Sequence, residues 1–237
     1  MTVLTKAKFV SPREKAVKKR LRLNPVDRER QILNGAIAYF AERGFDGPTR
    51  ELTSRLGVSK GLLYRYFPGK EALIDRVYEE VFLGRWDADW DSLLADRSIK
   101  LRDRLQLFYG KYAETMLHDY EWVRIYLLSG LAGASINNRF STFVTEHIYK
   151  PVLNELRYEF DAPAITRLPA SEGEMELMWG LHGAIFYIGI RKWIYHAEVP
   201  KDAPGAVYLL VDGLYSNACK MMTAERNAKT RVVRRKS

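Results

Sequence analysis

Five side chains able to hold charge crowd into the fourteen residues GVSKGLLYRYFPGK, Gly57 to Lys70: Lys60, Tyr64, Arg65, Tyr66 and Lys70. Ammonium and guanidinium groups hold anions and phenolic hydroxyls hydrogen-bond to them, so this mixture suits non-covalent binding of a negatively charged partner. Catalytic groups are poorly provided elsewhere. The four histidines, His118, His147, His182 and His196, make no His-x-x-x-His pair, and Glu146-His147 stands isolated, so no metal and no cofactor is expected. Cys219, the single cysteine, sits near the end of an apolar stripe without a cation in the preceding turn and reads as a small buried side chain. Neither a Gly-rich phosphate loop nor Gly-x-Ser-x-Gly occurs, which leaves an all-helical enzyme as the weaker expectation.

The elements that must position these residues are helices. Ile32, Ala36 and Phe40, with Leu33 and Ile37 beside them, predict a helix from Asp27, read as its cap, to Gly44. Pro48 opens a short second helix carrying Leu52 and Leu56 and ended by Gly57, and Ser59 caps a third that Pro68-Gly69 stops. Two short helices joined at Gly57-Val58-Ser59 fit a helix-turn-helix, whose second helix enters the DNA major groove. Val58, Leu63 and Phe67 then point inward while Lys60, Gly61, Tyr64 and Arg65 share the opposite face. From Arg50 to Lys70 five basic residues face only Glu51, a local +4, where phosphate would lie. Ser59 offers a hydroxyl and helix N–H groups to a phosphate, and Gly61 lets the backbone approach.

Ala41-Glu42-Arg43-Gly44-Phe45 and the run from Gly57 to Leu73 closely resemble the DNA-binding domain of TetR-family transcriptional regulators, over residues 27 to about 75. The resemblance implies an all-α homodimer: an N-terminal three-helix helix-turn-helix domain joined to a larger helical ligand-binding and dimerisation domain. It implies a repressor released from a palindromic operator by a small apolar or aromatic effector. Carried over residue by residue, it puts Ser59, Tyr64, Tyr66 and Lys70 on phosphates and Lys60, Gly61, Leu62 and Arg65 near base edges, with Thr49 and Arg50 contributing from the second helix. The segment from Phe45 to Gly57 is one residue shorter than the usual pattern. Leu62 stands where threonine is common, exchanging a hydrogen bond for an apolar contact.

The rest of the chain reads as helices over about Lys70 to Leu94, Ile99 to His118, Glu121 to Leu131, Asn137 to Phe160 with Pro151 inside, Glu172 to His196 and Pro204 to Arg226. The candidate effector residues are Tyr109, Tyr112, Met116, Trp122, Tyr126, Phe143, His147, Trp179, His182 and Phe186. The competing reading of each is plain core, and for His182 a histidine bonded to a neighbouring carbonyl or tyrosine. The run Leu177 to Ile190 is apolar on nearly every face and needs covering. Leu181, Ile185, Ile188, Leu210 and Leu214 are therefore expected at a two-fold interface, since a helix-turn-helix protein reading a palindrome needs two heads, the alternative being burial within one subunit.

Four regions are expected: a basic, flexible N-terminal arm over 1–26, the helix-turn-helix domain over 27–75, the helical domain over 76–226 and a basic C-terminal tail over 227–237. The net charge of +9 is concentrated in the ends, +7 in residues 1–26 and +6 in residues 220–237, which leaves −4 for the body. Charge-driven architectural binding to nucleic acid through those ends is thus the alternative function. No secretory signal and no membrane span is read, so the expected location is the cytoplasm and the expected partners are double-stranded DNA, a small effector and a second copy.

Overall fold

A computed structural model describes residues 24–133 and 135–236, except the side chains of Ala88, Met116 and residues 224–236; of the arm expected over 1–26, residues 1–23 lie outside it, and Pro25 and Val26 open the first helix instead. All regular structure among the described residues is helical. The head comprises α1 (Pro25–Arg43), α2 (Thr49–Leu56) and α3 (Lys60–Tyr66). Helix α1 starts earlier than the sequence suggested. Asn24 is its cap, accepting from the Asp27 amide at 2.8 Å, with Pro25 in the first turn where a missing N–H costs nothing; Asp27 instead lies one turn in, facing the positive helix end. Gly57, at φ 62°, ends α2 in the left-handed conformation that glycine tolerates.

The long helix expected from Lys70 to Leu94 is broken. Helix α4 (Lys70–Tyr78) widens into a π turn over Glu79–Leu83, and the chain bends at Gly84 before α5 (Ala88–Ala95). A Cβ on Gly84 would lie 2.8 Å from the Glu80 carbonyl oxygen, so only glycine fits the bend. Asp87 then caps α5 by accepting from the Asp89 amide at 2.9 Å. Helix α6 (Leu101–His118) and α7 (Tyr120–Leu131) follow.

The helix expected around Pro151 also changes pitch. Helix α8 (Ser135–Val144) passes through a π turn at Thr145–Tyr149 into α9 (Lys150–Glu159). Pro151 lacks the N–H that a regular ladder requires and its ring crowds the preceding turn; the wider turn in front of it makes room. Helix α10 (Glu172–Trp193) opens with a Ser171–Glu174 capping box. The last helix, α11 (Ala203–Lys236), continues past Arg226 through the stretch read as a tail, since neither glycine nor proline follows Gly213.

Helices α6, α9, α10 and α11 pack together around Leu105, Tyr109, Leu153, Met178 and Val211, all fully buried. The loop between α9 and α10 is held by a buried ion pair. Arg157 donates to both oxygens of Glu174, at 2.7 and 2.6 Å, and to the loop carbonyls of Pro163, Leu168 and Pro169, while Glu174 accepts from the Ser171 amide at 2.7 Å. Burial pushes the Glu174 carboxyl up, but the Arg157 and Ser171 donors outweigh it and hold the group below the usual carboxylate range. A lowered folded-state value gives stability that is present above the unfolded value, near 4.5, and lost as pH falls through the folded one. Replacing Glu174 with Gln removes the carboxylate charge that faces the buried Arg157 guanidinium and should cost about 3 to 5 kcal/mol. Denaturant melts below pH 4.5 should then show a shallower acid loss in the variant than in the parent chain.

Candidate nucleic-acid interface and effector cavity

Helix α3 is held by its buried side. Leu63 and Phe67 sit in the head core with Ile32, Phe40 and Leu52, and the Ser59 hydroxyl accepts from the Leu62 amide at 3.1 Å to fix the first turn. The Ser59 side chain is therefore already committed as a cap. Lys60, Gly61 and Arg65 are exposed along the other face, Leu62, Tyr64 and Tyr66 are half-buried, and the Lys60 ammonium lies 5.5 Å over the Tyr64 ring. On α2, Thr49 is half-buried and Arg50 exposed. Lys70 donates to the Gly47 carbonyl at 3.0 Å, tying the start of α4 to the turn before α2 and leaving two ammonium hydrogens unused.

The charges of the head divide into two sets. Arg43 and Arg55 are paired with Glu42 and Glu51 at 2.6 to 3.4 Å. Arg50, Lys60, Arg65 and Lys70 make no ion pair among the described residues, so their field is uncompensated on one side of the head. A Cβ built on Gly61 meets nothing within 4 Å, so nothing inside the chain requires glycine there.

Behind the head, the end of α4, α5, α6, α7 and α8 enclose a cavity of about 30 Å³, room for a water or two. Of the ten effector candidates, Tyr112, Trp122 and Phe143 line it. Tyr126 and Phe186 pack behind Trp122, at 5.9 and 5.4 Å between ring centroids. Tyr109 is buried against Phe108, and His182 stands behind Tyr112, whose hydroxyl lies 2.9 Å from Nε2. His147 is exposed, stacked at 4.3 Å on the outer side of Phe143, and Trp179 is 39% exposed against Tyr149. The Met116 side chain lies outside the described residues. The sequence reading missed Phe82, Arg85, Trp86, Trp90, Asp119 and Phe140. The Gly84 and Asp87 breakers were the available signal, because an unbroken helix would have carried Trp86 and Trp90 away from α6.

Asp119 is the buried charge of this wall. Its Oδ1 accepts from the Trp122 amide at 2.9 Å, and Arg85 lies 2.6 Å from Oδ2 without hydrogen-bond alignment. Deeper in, Tyr109, Tyr149 and His182 carry buried polar atoms with no hydrogen-bond partner among the described residues.

The interface candidates divide differently from the expectation. Leu181, Ile185, Ile188 and Leu214 lie inside the chain's own core and only Leu210 is half-exposed, so a partner would meet their neighbours. Leu177, Gly180, Ala184, Leu209, Gly213 and Asn217 rim a groove between α10 and α11, with Leu181, Leu210 and Leu214 in it. Leu209 is 74% exposed, and a Cβ on Gly180 or Gly213 would meet nothing.

Comparison with known proteins adds to this geometry. The family model "Bacterial regulatory proteins, tetR family" matches residues 32–77. The chain is 28% identical over 112 residues to the HTH-type transcriptional regulator LuxR of Vibrio harveyi, covering 47% of this chain and 54% of that protein. It is 34% identical over 82 residues to the class A tetracycline repressor protein from transposon 1721 of Escherichia coli, covering 31% and 38%. The chain thus spans about half or less of the length of the curated relatives it matches. Its fold is similar to that of a putative transcriptional regulator from Pseudomonas aeruginosa PAO1, with TM-score 0.60, 21% identity and coverage of 85% of this chain and 96% of that one.

Two outcomes follow from the environments of His182 and Gly61. Burial lowers the His182 pKa from 6.5 to about 4, so the unfolded chain takes up the proton first as pH falls, and about 3 kcal/mol of stability is lost across that window. Denaturant melts at pH 7, 5.5 and 4 should show this loss reduced in His182→Gln. Gly61→Ala should keep or raise the melting temperature, by up to about 1 kcal/mol in stability, because a helix interior favours alanine. It should nevertheless weaken DNA binding if a DNA backbone comes against that face, and a titration of the folded variant against DNA measures this.

Proposed function

We propose, from the match of residues 32–77 to the tetR family of bacterial regulatory proteins, that the chain is a TetR-family, sequence-specific DNA-binding transcriptional regulator acting in the cytoplasm. In this reading it is a homodimeric repressor that a small apolar or aromatic effector releases from a palindromic operator. The observation that carries it is the exposed face of α3, where Lys60, Gly61 and Arg65 lie with no acidic partner on a helix seated by Leu63 and Phe67. Cations that fold stability does not use are available to phosphate and base edges. Lys60 and Arg65 read bases, and Lys70 and the Tyr64 and Tyr66 hydroxyls hold phosphates.

Two contacts would carry a signal from cavity to head. Arg124 on α7 donates to the Ala41 carbonyl at the end of α1 at 2.7 Å, and Arg139 on α8 meets Asp75 of α4 at 2.5 Å while lying 4.2 Å over the Tyr78 ring. Trp122 on α7 and Phe140 and Phe143 on α8 line the cavity, so an effector that parts them displaces helices tied to α1 and α4. In a dimer that motion changes the spacing of two reading heads. Coupling of about 1 to 3 kcal/mol changes operator affinity by roughly 5- to 150-fold, and operator weakens effector binding by the same factor.

The partner copy is proposed to dock on the α10–α11 face, where Gly180 and Gly213 allow close helix approach. Leu209→Glu should therefore give a folded monomer, because Leu209 is exposed in the single chain. A variant of dimer mass by light scattering would place the interface elsewhere.

Selecting bound fragments from random DNA tests the main reading and should return a palindrome. Against it, Lys60→Ala and Arg65→Ala should cost about 1 to 3 kcal/mol each and relax particular positions, whereas Lys70→Ala should weaken all sequences and lower the salt slope by about one. Recovery of no preferred sequence would overturn the assignment in favour of charge-driven binding.

A further inference from the structure

The cavity wall is unusual in its charge as well as its rings. Trp86, Trp90, Trp122, Phe140 and Phe143 surround it, Trp86 and Trp90 meeting edge to face at 5.1 Å and Trp122 and Phe140 at 5.6 Å. Ring faces carry negative potential, and such walls attract cations, quaternary ammonium groups above all. Among the described residues, the only charged side chains lining the cavity are Asp119 and Arg85. They differ in how tightly they are held: Asp119 is 5% exposed and Arg85 47% exposed. The fixed charge of the wall is thus negative and the positive one can leave.

Asp119 Oδ2 has no hydrogen-bond partner among the described residues, although the Arg85 guanidinium stands 2.6 Å away. Its other oxygen is engaged at the start of α7. We propose that the cavity is a site for a small aromatic organic cation, whose charged group takes the place of the Arg85 guanidinium beside Asp119. This rests on the effector-regulated reading above and names the chemical class of the effector.

The exchange is physically balanced. Arg85 withdraws into water from a half-exposed position, so it strands no buried charge of its own, and Asp119 exchanges one cation for another and is never left alone in the wall. Removing the guanidinium also enlarges a cavity that otherwise holds about 30 Å³. An anionic ligand would instead have to compete with Asp119 for Arg85 while lying against aromatic faces. Burial raises the Asp119 carboxyl and Glu121 adds to the rise, while the Trp122 amide and Arg85 oppose it, so the carboxylate needs a cation beside it. Arg85 follows the π turn that ends α4, so its release frees the segment joining α4 to the cavity.

The test uses the full chain and three benzyl probes: benzyltrimethylammonium, its uncharged isostere neopentylbenzene, and the anion phenylacetate. Tryptophan fluorescence should report binding of the ammonium compound about tenfold or more tighter than either other probe. Asp119→Asn keeps a capping oxygen and should lose that preference, whereas Arg85→Gln removes the internal competitor and should tighten the ammonium compound severalfold. Equal binding of ammonium and hydrocarbon by the parent chain, or tightest binding of phenylacetate with loss in Arg85→Gln, overturns the proposal. Should Asp119→Asn fail to fold, the Arg85→Gln titration decides alone. Release of selected DNA is followed separately: ammonium binding that leaves DNA bound supports this site while refuting its role as the effector site. Release by the hydrocarbon, with no ammonium binding, keeps the regulator and refutes the cation.

Discussion

A carboxylate removed from water must be compensated on the spot, and Asp119 is the place where that constraint organises the molecule. Its compensation comes from two directions: the first turn of α7 supplies the Trp122 amide, and the segment beyond the α4 π turn supplies Arg85. Neither source is close in sequence to the head, yet both lead to it. Helix α7 reaches α1 through Arg124 and the Ala41 carbonyl, and Arg85 is joined through the π turn to α4, whose Lys70 bonds the Gly47 carbonyl before α2. The elements that satisfy one buried charge are thus also the ones that contact the head, α7 at the end of α1 and α4 at the turn before α2.

The irregular turns make that arrangement possible. A regular helix from Lys70 to Leu94 would have sent Trp86 and Trp90 outward along its axis. The widened turn at Glu79–Leu83 and the bend at Gly84 instead fold them back, so that Trp90 meets Phe108 and Tyr112 on α6 and Trp86 meets Phe143 on α8. The second π turn, before Pro151, leaves Phe143 and Val144 on the cavity wall from one side and carries Tyr149 inward toward His182 from the other. Both departures from regular pitch stand beside the same cavity, and interruptions of this kind recur at functional sites.

What was legible in the sequence follows the range of the forces involved. Local rules of capping, glycine stops and period-3.6 burial gave α2 and α3 nearly to the residue and put Leu63 and Phe67 inside, because a short helix between Ser59 and Pro68 is determined by its own residues. The Gly84 bend was masked because apolar spacing runs on through Val81, Trp86 and Trp90, and periodicity cannot see a change of axis. Aromatic content located Tyr112, Trp122 and Phe143 but could not separate wall from core, since that difference depends on which side of a ring another helix lies. Asp119 was invisible for a similar reason. Asp before a helix reads as a cap, and only the folded chain brings Arg85 to its other oxygen.

Glycine use separates what the chain needs for itself from what it offers outward. Gly47 is required internally, since an added Cβ would lie 2.4 Å from the hydroxyl and 2.8 Å from the ring of the buried Tyr39. Gly61, Gly180, Gly183 and Gly213 all lie in helices, and around each an added Cβ would meet nothing within 4 Å. A helical glycine costs about 1 kcal/mol relative to alanine, so these four positions forgo about 4 kcal/mol that the isolated chain could keep. That sum is a sizeable part of the net stability of about 5 to 15 kcal/mol usual for a folded domain. Three of the four lie on two surfaces: Gly61 on the cationic face of α3, and Gly180 and Gly213 on one groove between α10 and α11. The proposed function accounts for stability forgone on these two surfaces: the atoms that would crowd a side chain there would belong to other molecules, DNA against the first and a second copy of the chain against the other.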